Sequence, residues 1–153
     1  MKEVYPEIIA TDLIEGYIGN EERYIYQYPI IMQYLKKKID NRCVTDYLKS
    51  VGIERIVIYA ATEFAELLVK DILNTDTDMI WAVCDKKAKA IGKTYNNCKV
   101  ISIDEMMIDY SNKKFDKIVV CSIFHKNAVI DELLEKGVDF DDILTAIQVI
   151  FWM

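Results

Sequence analysis

The chain of 153 residues contains one histidine, two prolines and five glycines. So little glycine and proline excludes a collagen-like or low-complexity polypeptide. A single histidine, and four cysteines with no Cys-x-x-Cys spacing, provide no clustered ligand set, so no metal site is expected. No apolar run approaches the ~20 residues that span a bilayer. The opening Met1-Lys2-Glu3-Val4-Tyr5-Pro6 lacks the apolar stretch of a signal peptide. Positive charge is in the minority, with 19 Lys and Arg against 25 Asp and Glu for a net charge of −6. An acidic surface repels phosphate backbones, so neither nucleic acid nor membrane is expected as a partner. The expectation is a cytoplasmic protein whose Cys43, Cys84, Cys98 and Cys121 stay reduced and structural.

The chain is 52% hydrophobic, and one domain of this length buries about 68–70% of the surface its unfolded form exposes. From Ile53 onward, short β-branched runs alternate with segments of helical period, which is the pattern of a parallel sheet covered by helices. Strands are predicted at 55–59, 79–84, 99–101, 117–122 and 143–145. Between the first two, Phe64, Leu67, Leu68 and Ile72 share one helical face. The segment 86–98 reads as a loop. Ser102 and Glu105 have the spacing of a capping box opening a short helix. A further helix is predicted over 127–136, ended by Gly137 in the left-handed position. The expected fold is α/β: a doubly wound sheet of about five parallel strands in the order 3-2-1-4-5. Residues 53–153 would form that domain. Residues 1–52 would be an arm and helical extension, with one helix opened by Pro29 and another around Val44, Tyr47 and Leu48.

The turn from the first strand into its helix, Tyr59-Ala60-Ala61-Thr62-Glu63-Phe64-Ala65, stands where a dinucleotide-binding βαβ unit carries G-x-G-x-x-G. The three glycine positions fall on Ala60, Thr62 and Ala65. Asp85, at the end of the second strand, stands where such units place a ribose-binding acid. Ala65 still permits close helix–strand contact, whereas the β-branched Thr62 fills space a pyrophosphate would use. Its hydroxyl can instead meet a single anion at the helix N-terminus, and Glu63 opposes one.

The run Leu48-Lys49-Ser50-Val51-Gly52-Ile53-Glu54-Arg55-Ile56-Val57-Ile58-Tyr59, followed by Ala-Ala-Thr-Glu-Phe-Ala, resembles the opening of a bacterial Rossmann-like family with a "gi-x-x-i-x-iyGaGefG" segment. Ala82-Val83-Cys84-Asp85, Val100-Ile101-Ser102-Ile103-Asp104-Glu105 and Phe115-Asp116-Lys117-Ile118-Val119-Val120 extend the similarity. Such domains occur in nucleotide-sugar and cell-surface polysaccharide proteins. The resemblance therefore implies an NAD(P)-binding fold and a nucleotide or nucleotide sugar as ligand class, in bacterial glycan metabolism. The absent glycines depart from that pattern.

Lys86 opens a cluster of five lysines over 86–99 that can meet a phosphate or remain a solvated run. Ser122 and His125 follow the fourth strand, which the predicted order sets beside the first, at the edge where open α/β sheets bind ligands. The nominated ligand contacts are thus Ala60, Ala61, Thr62, Glu63, Asp85, Lys86, Ser122 and His125. His125 is also the candidate general acid or base, though no second catalytic group accompanies it. Tyr24, Tyr26 and Tyr28 alternate as on an extended aromatic arm, and 149–153 is apolar to its end; both suit contacts between copies. Three readings stand open: a degenerate, non-catalytic or regulatory nucleotide-type module; a small reductase, epimerase or transferase using His125; and an interaction protein without a ligand.

Overall fold

The computed structural model describes residues 21–153. The first twenty residues, read from sequence as part of an arm, lie outside the described residues. Helices α1 (Glu21–Ile39) and α2 (Val44–Ser50) precede strand β1 (Ile56–Tyr59), helix α3 (Glu63–Thr75) and strand β2 (Ile80–Cys84). Then follow α4 (Ala88–Ile91), the hairpin strands β3 (Thr94–Tyr95) and β4 (Cys98–Ile101), α5 (Ile103–Ser111), β5 (Lys117–Val120) and α6 (Lys126–Glu135). A 3₁₀ turn (Phe140–Asp142), β6 (Ile143–Thr145) and α7 (Ala146–Trp152) complete the order.

The sheet runs β3-β4-β2-β1-β5-β6. Every pairing is parallel except the β3–β4 hairpin at one edge. Its five parallel strands follow the predicted 3-2-1-4-5 order, and β3 adds a sixth outside them. The fold is Rossmann-like α/β.

Two-residue alternation divides the core between the faces of the sheet. Ile56 and Ile58 of β1, Val83 of β2 and Val119 of β5 point to one side, onto Ala65, Leu68, Val69 and Ile72 of α3 and Val149 and Ile150 of α7. Val57, Tyr59, Ala82, Cys84, Ile118 and Val120 point to the other, onto Met106 of α5 and Leu133 of α6. Central strands buried on both faces explain why their sequences are unbroken apolar runs. Ile30 of α1 and Val44 and Leu48 of α2 join the first core, so the N-terminal helices pack on α3 and α7.

Several expectations are corrected. Residues 86–98 are not a loop: they form α4 and β3. Asn96 and Asn97 make the hairpin turn in the left-handed region, with φ of 47° and 68°, the backbone a two-residue hairpin requires. Pro29 does not open a helix but lies inside α1. A proline removes one helical hydrogen bond, at a cost of about 3 kcal/mol in an isolated helix. Gln27 and Ile30 on either side are buried, and that packing carries the helix through. Tyr24, Tyr26 and Tyr28 are accordingly helical, not extended. Leu67 lies off the buried stripe of α3 and is exposed, its place taken by Ala65 and Val69. Ser122 falls beyond β5. The closing segment is a helix, with Val149, Ile150 and Met153 buried and Phe151 and Trp152 exposed. No helix among the described residues is long and apolar enough to cross a membrane.

Candidate functional site

β1 and β5 are neighbours at the point where the strand order reverses, and their following helices leave to opposite faces: α3 packs in one core and α6 in the other. That divergence opens a crevice beyond the carboxyl ends of the strands, the usual ligand position in open α/β sheets. The turn predicted to sit at its mouth is there. Ala60 donates its N–H to the Cys84 carbonyl at 2.9 Å and adopts φ 77°. This is the left-handed conformation that the first glycine of a dinucleotide fingerprint takes without strain. Here a Cβ is forced into it, at a cost of roughly 1 kcal/mol. Ala60→Gly is expected to raise stability by up to about 1 kcal/mol, because native strain is relieved by more than the added unfolded-state entropy costs. The midpoint of urea unfolding checks this, and a lowered midpoint would mean that Ala60 is unstrained.

Thr62 caps α3. Its Oγ1 accepts from the Ala65 N–H at 3.1 Å and donates to the Cys121 carbonyl at 3.3 Å, tying the turn to the end of β5. The hydroxyl that could have met an anion is engaged at both ends. The Ala61 N–H, the amide a pyrophosphate would approach, donates to Asp85 Oδ2 at 2.8 Å. Asp85 Oδ1 accepts from the Lys87 N–H at 2.7 Å. The carboxylate that sequence reading assigned to a ribose thus ties the β1–α3 turn to the segment after β2, with one oxygen on each.

Tyr95 completes the closure: its hydroxyl donates to the Thr62 carbonyl at 2.9 Å, and burial pushes its pKa up to about 12. Sequence reading missed this residue. The signal was Thr94-Tyr95-Asn96-Asn97-Cys98-Lys99, an Asn pair between strand-forming residues, which marks a tight hairpin.

The nominated residues lie together at the carboxyl ends of β1, β2 and β5, but in unequal states. Ala60, Ala61, Thr62 and Asp85 form one hydrogen-bonded unit with Tyr95 and Cys121. Exposed Glu63 is in the first turn of α3. Lys86 pairs with Glu132 of α6, so the first lysine of the cluster bridges the mouth from β2 to α6. Lys99 points elsewhere, with its ammonium 3.8 Å from the centre of the Trp81 ring. Ser122 is half-buried. His125 is exposed at the N-cap of α6, makes no cap hydrogen bond, and meets the edge of Phe124 at 4.9 Å between ring centres.

Beneath the mouth, the Tyr59 hydroxyl is buried without a hydrogen-bond partner, and burial followed by the nearby Glu132 raises its pKa. Burial pushes the Cys84 and Cys121 thiols up to about 12, so both stay protonated and non-nucleophilic at neutral pH. Among the described residues, no group of three His, Cys, Asp or Glu side chains is placed to hold a metal ion. Two cavities flank the mouth. One of about 570 Å³ lies between α1 and α3 and reaches Glu63. The other, about 360 Å³, is lined by Ile123, Phe124 and Lys126 on either side of His125.

No protein-family model matches the chain, and no curated protein matches it. Among solved structures it is similar to the crystal structure of RSP, a Rex-family repressor, with 14% sequence identity and a TM-score of 0.47. That match covers 66% of this chain and 55% of the repressor, so the chain spans little more than half of the repressor's length.

Proposed function

We propose that the chain is a degenerate nucleotide-type Rossmann module that acts by binding and not by chemistry, in a regulatory role. The observation that carries this reading is the Asp85 carboxylate on the Ala61 amide at 2.8 Å. A turn whose phosphate-facing amide is already held by an internal anion does not take up a dinucleotide in the ordinary way. A phosphate-bearing ligand must exchange with Asp85, and such an exchange couples ligand binding to the β2–α4 segment through the Lys87 amide. The reading nominates Ala60, Ala61, Thr62, Glu63, Asp85, Lys86, Ser122 and His125 as the residues around the ligand. From the family resemblance it takes a nucleotide sugar or NAD(P) as the ligand class, in bacterial glycan metabolism. A catalytic role for His125 is the weaker reading, because the ring is exposed and no side chain hydrogen-bonds to it among the described residues.

The test is a thermal-shift and calorimetric series on the wild-type chain with NAD(P), UDP-sugars, mononucleotides and S-adenosylmethionine at up to millimolar concentration. Stabilisation by a phosphate-bearing member is the expected result. No stabilisation by any member would set the ligand reading aside in favour of a scaffold without one.

A further inference from the structure

Helix α1 has two apolar faces, and only one is covered. Towards the core it turns Gln27, Ile30, Ile31 and Tyr34. On an adjacent flank, about a third of a turn round the helix, Ile25, Tyr28, Met32, Leu35 and Ile39 follow one another at alternating steps of three and four, the spacing of a helix that packs lengthwise against another helix. Ile25 is 68% exposed, Tyr28 65%, Leu35 48% and Ile39 78%, while Met32 is half-buried. Single exposed apolar residues are ordinary, but a continuous stripe of this kind marks an interaction surface.

We propose that a second copy of this chain covers the stripe, with the two α1 helices antiparallel about a two-fold axis that passes beside Met32. Charge selects the orientation. At the C-terminal end of α1, Lys37 donates to the Phe151 and Met153 carbonyls and Lys38 pairs with Asp71, and Lys36 is the exposed cation beside the stripe. An antiparallel pair opposes the two helix dipoles and keeps the two exposed Lys36 side chains at opposite ends of the seam, whereas a parallel pair would set them side by side. The stripe is also self-complementary under that axis, as an isologous interface requires. Ile25 comes opposite the partner's Ile39, Tyr28 opposite the partner's Leu35, and Met32 meets its own copy. The exposed fractions amount to on the order of 600 Å² per copy, roughly 1,200 Å² for the pair, which is the lower edge of specific interfaces and suits a reversible dimer. The inference does not depend on the ligand reading: Tyr28 of the stripe also lines the α1–α3 cavity, but the closing hydrogen bonds of Asp85 and Tyr95 involve no residue of the stripe.

Sedimentation velocity of the full chain from micromolar to millimolar concentration tests it. The expected mass rises from the monomer's 17.8 kDa towards twice that value. The double variant Leu35→Glu with Ile39→Glu should remain monomeric with an unchanged circular dichroism spectrum. Tyr28→Lys, a milder change that guards against misfolding of the double variant, should weaken association roughly tenfold or more. Orientation is read by mild oxidation in a Cys43→Ser background. Met32→Cys should form an interchain disulfide, and Ile25→Cys should not, since the axis sets the two copies of position 25 at opposite ends of the stripe. A wild-type chain that stays monomeric throughout overturns the proposal. A dimer that survives the double variant, or a disulfide at position 25 alone, overturns it as well.

Discussion

Asp85→Ala is expected to lower stability by roughly 2–3 kcal/mol, because it removes a charged acceptor from two backbone amides at once. The Ala61 and Lys87 N–H groups lose bonds of 2.8 and 2.7 Å, and only partial rehydration offsets that loss at a half-buried site. The same change should raise affinity for a phosphate-bearing ligand by about tenfold. It frees the Ala61 amide and removes a negative charge from a helix N-terminus that otherwise favours anions. Asp85→Asn, which keeps a carbonyl oxygen for one of the two amides, should fall between wild type and alanine in stability. Chemical denaturation and titration calorimetry on the three proteins measure both effects. If Asp85→Ala loses stability and gains no affinity for any nucleotide, the carboxylate is a structural clasp and the turn is not a ligand site. If it loses no stability, the closure itself is absent in solution.

The second large effect separates two adjacent leucines of α3. Leu68 is 1% exposed, in the core between β1, β2 and α7, and Leu67 is 46% exposed on the wall of the α1–α3 cavity. Leu68→Ala should cost about 3 kcal/mol, the transfer energy of the lost side chain plus the cavity it leaves in a rigid sheet–helix interface. Leu67→Ala should cost less than about 0.5 kcal/mol, as surface substitutions usually do. Unfolding in urea with unchanged slope reads both directly. Equal losses would mean that α3 is rotated about its axis from the position described, which would also misplace the Thr62 cap.

Both predictions rest on the register of one turn, and the sequence already showed where that turn is. Ile56-Val57-Ile58-Tyr59 is followed by small residues and then by a helical stripe, and each local signal points the same way. The parallel order of the five main strands was legible for the same reason: β-branched runs buried on both faces, separated by helices, leave few topologies. The Ser102–Glu105 capping box and the left-handed Gly137 are local hydrogen-bond and backbone effects, and such effects are written within a few neighbouring residues. Pro29 was misread for the opposite reason. Its local cost is real, but the burial of Gln27 and Ile30 against distant elements outweighs it. Leu67 was misplaced because helical periodicity fixes a stripe only to within about one residue, and the partner surface decides its edge.

By itself, then, the amino-acid order determined the order of the five parallel strands and the position of the β1–α3 turn, since these follow from periodicity, burial and local capping; α4, β3 and Tyr95 escaped it. Only the tertiary structure decided what the residues at the crevice mouth do to one another. Asp85 turned its carboxylate onto the Ala61 amide 24 positions earlier, and Tyr95 reached the Thr62 carbonyl 33 positions earlier. Neither choice has a local signature. A carboxylate beside unpaired amides bonds to whichever donor the fold brings within 3 Å, and that is fixed by how β2 and the β3–β4 hairpin stack beside β1.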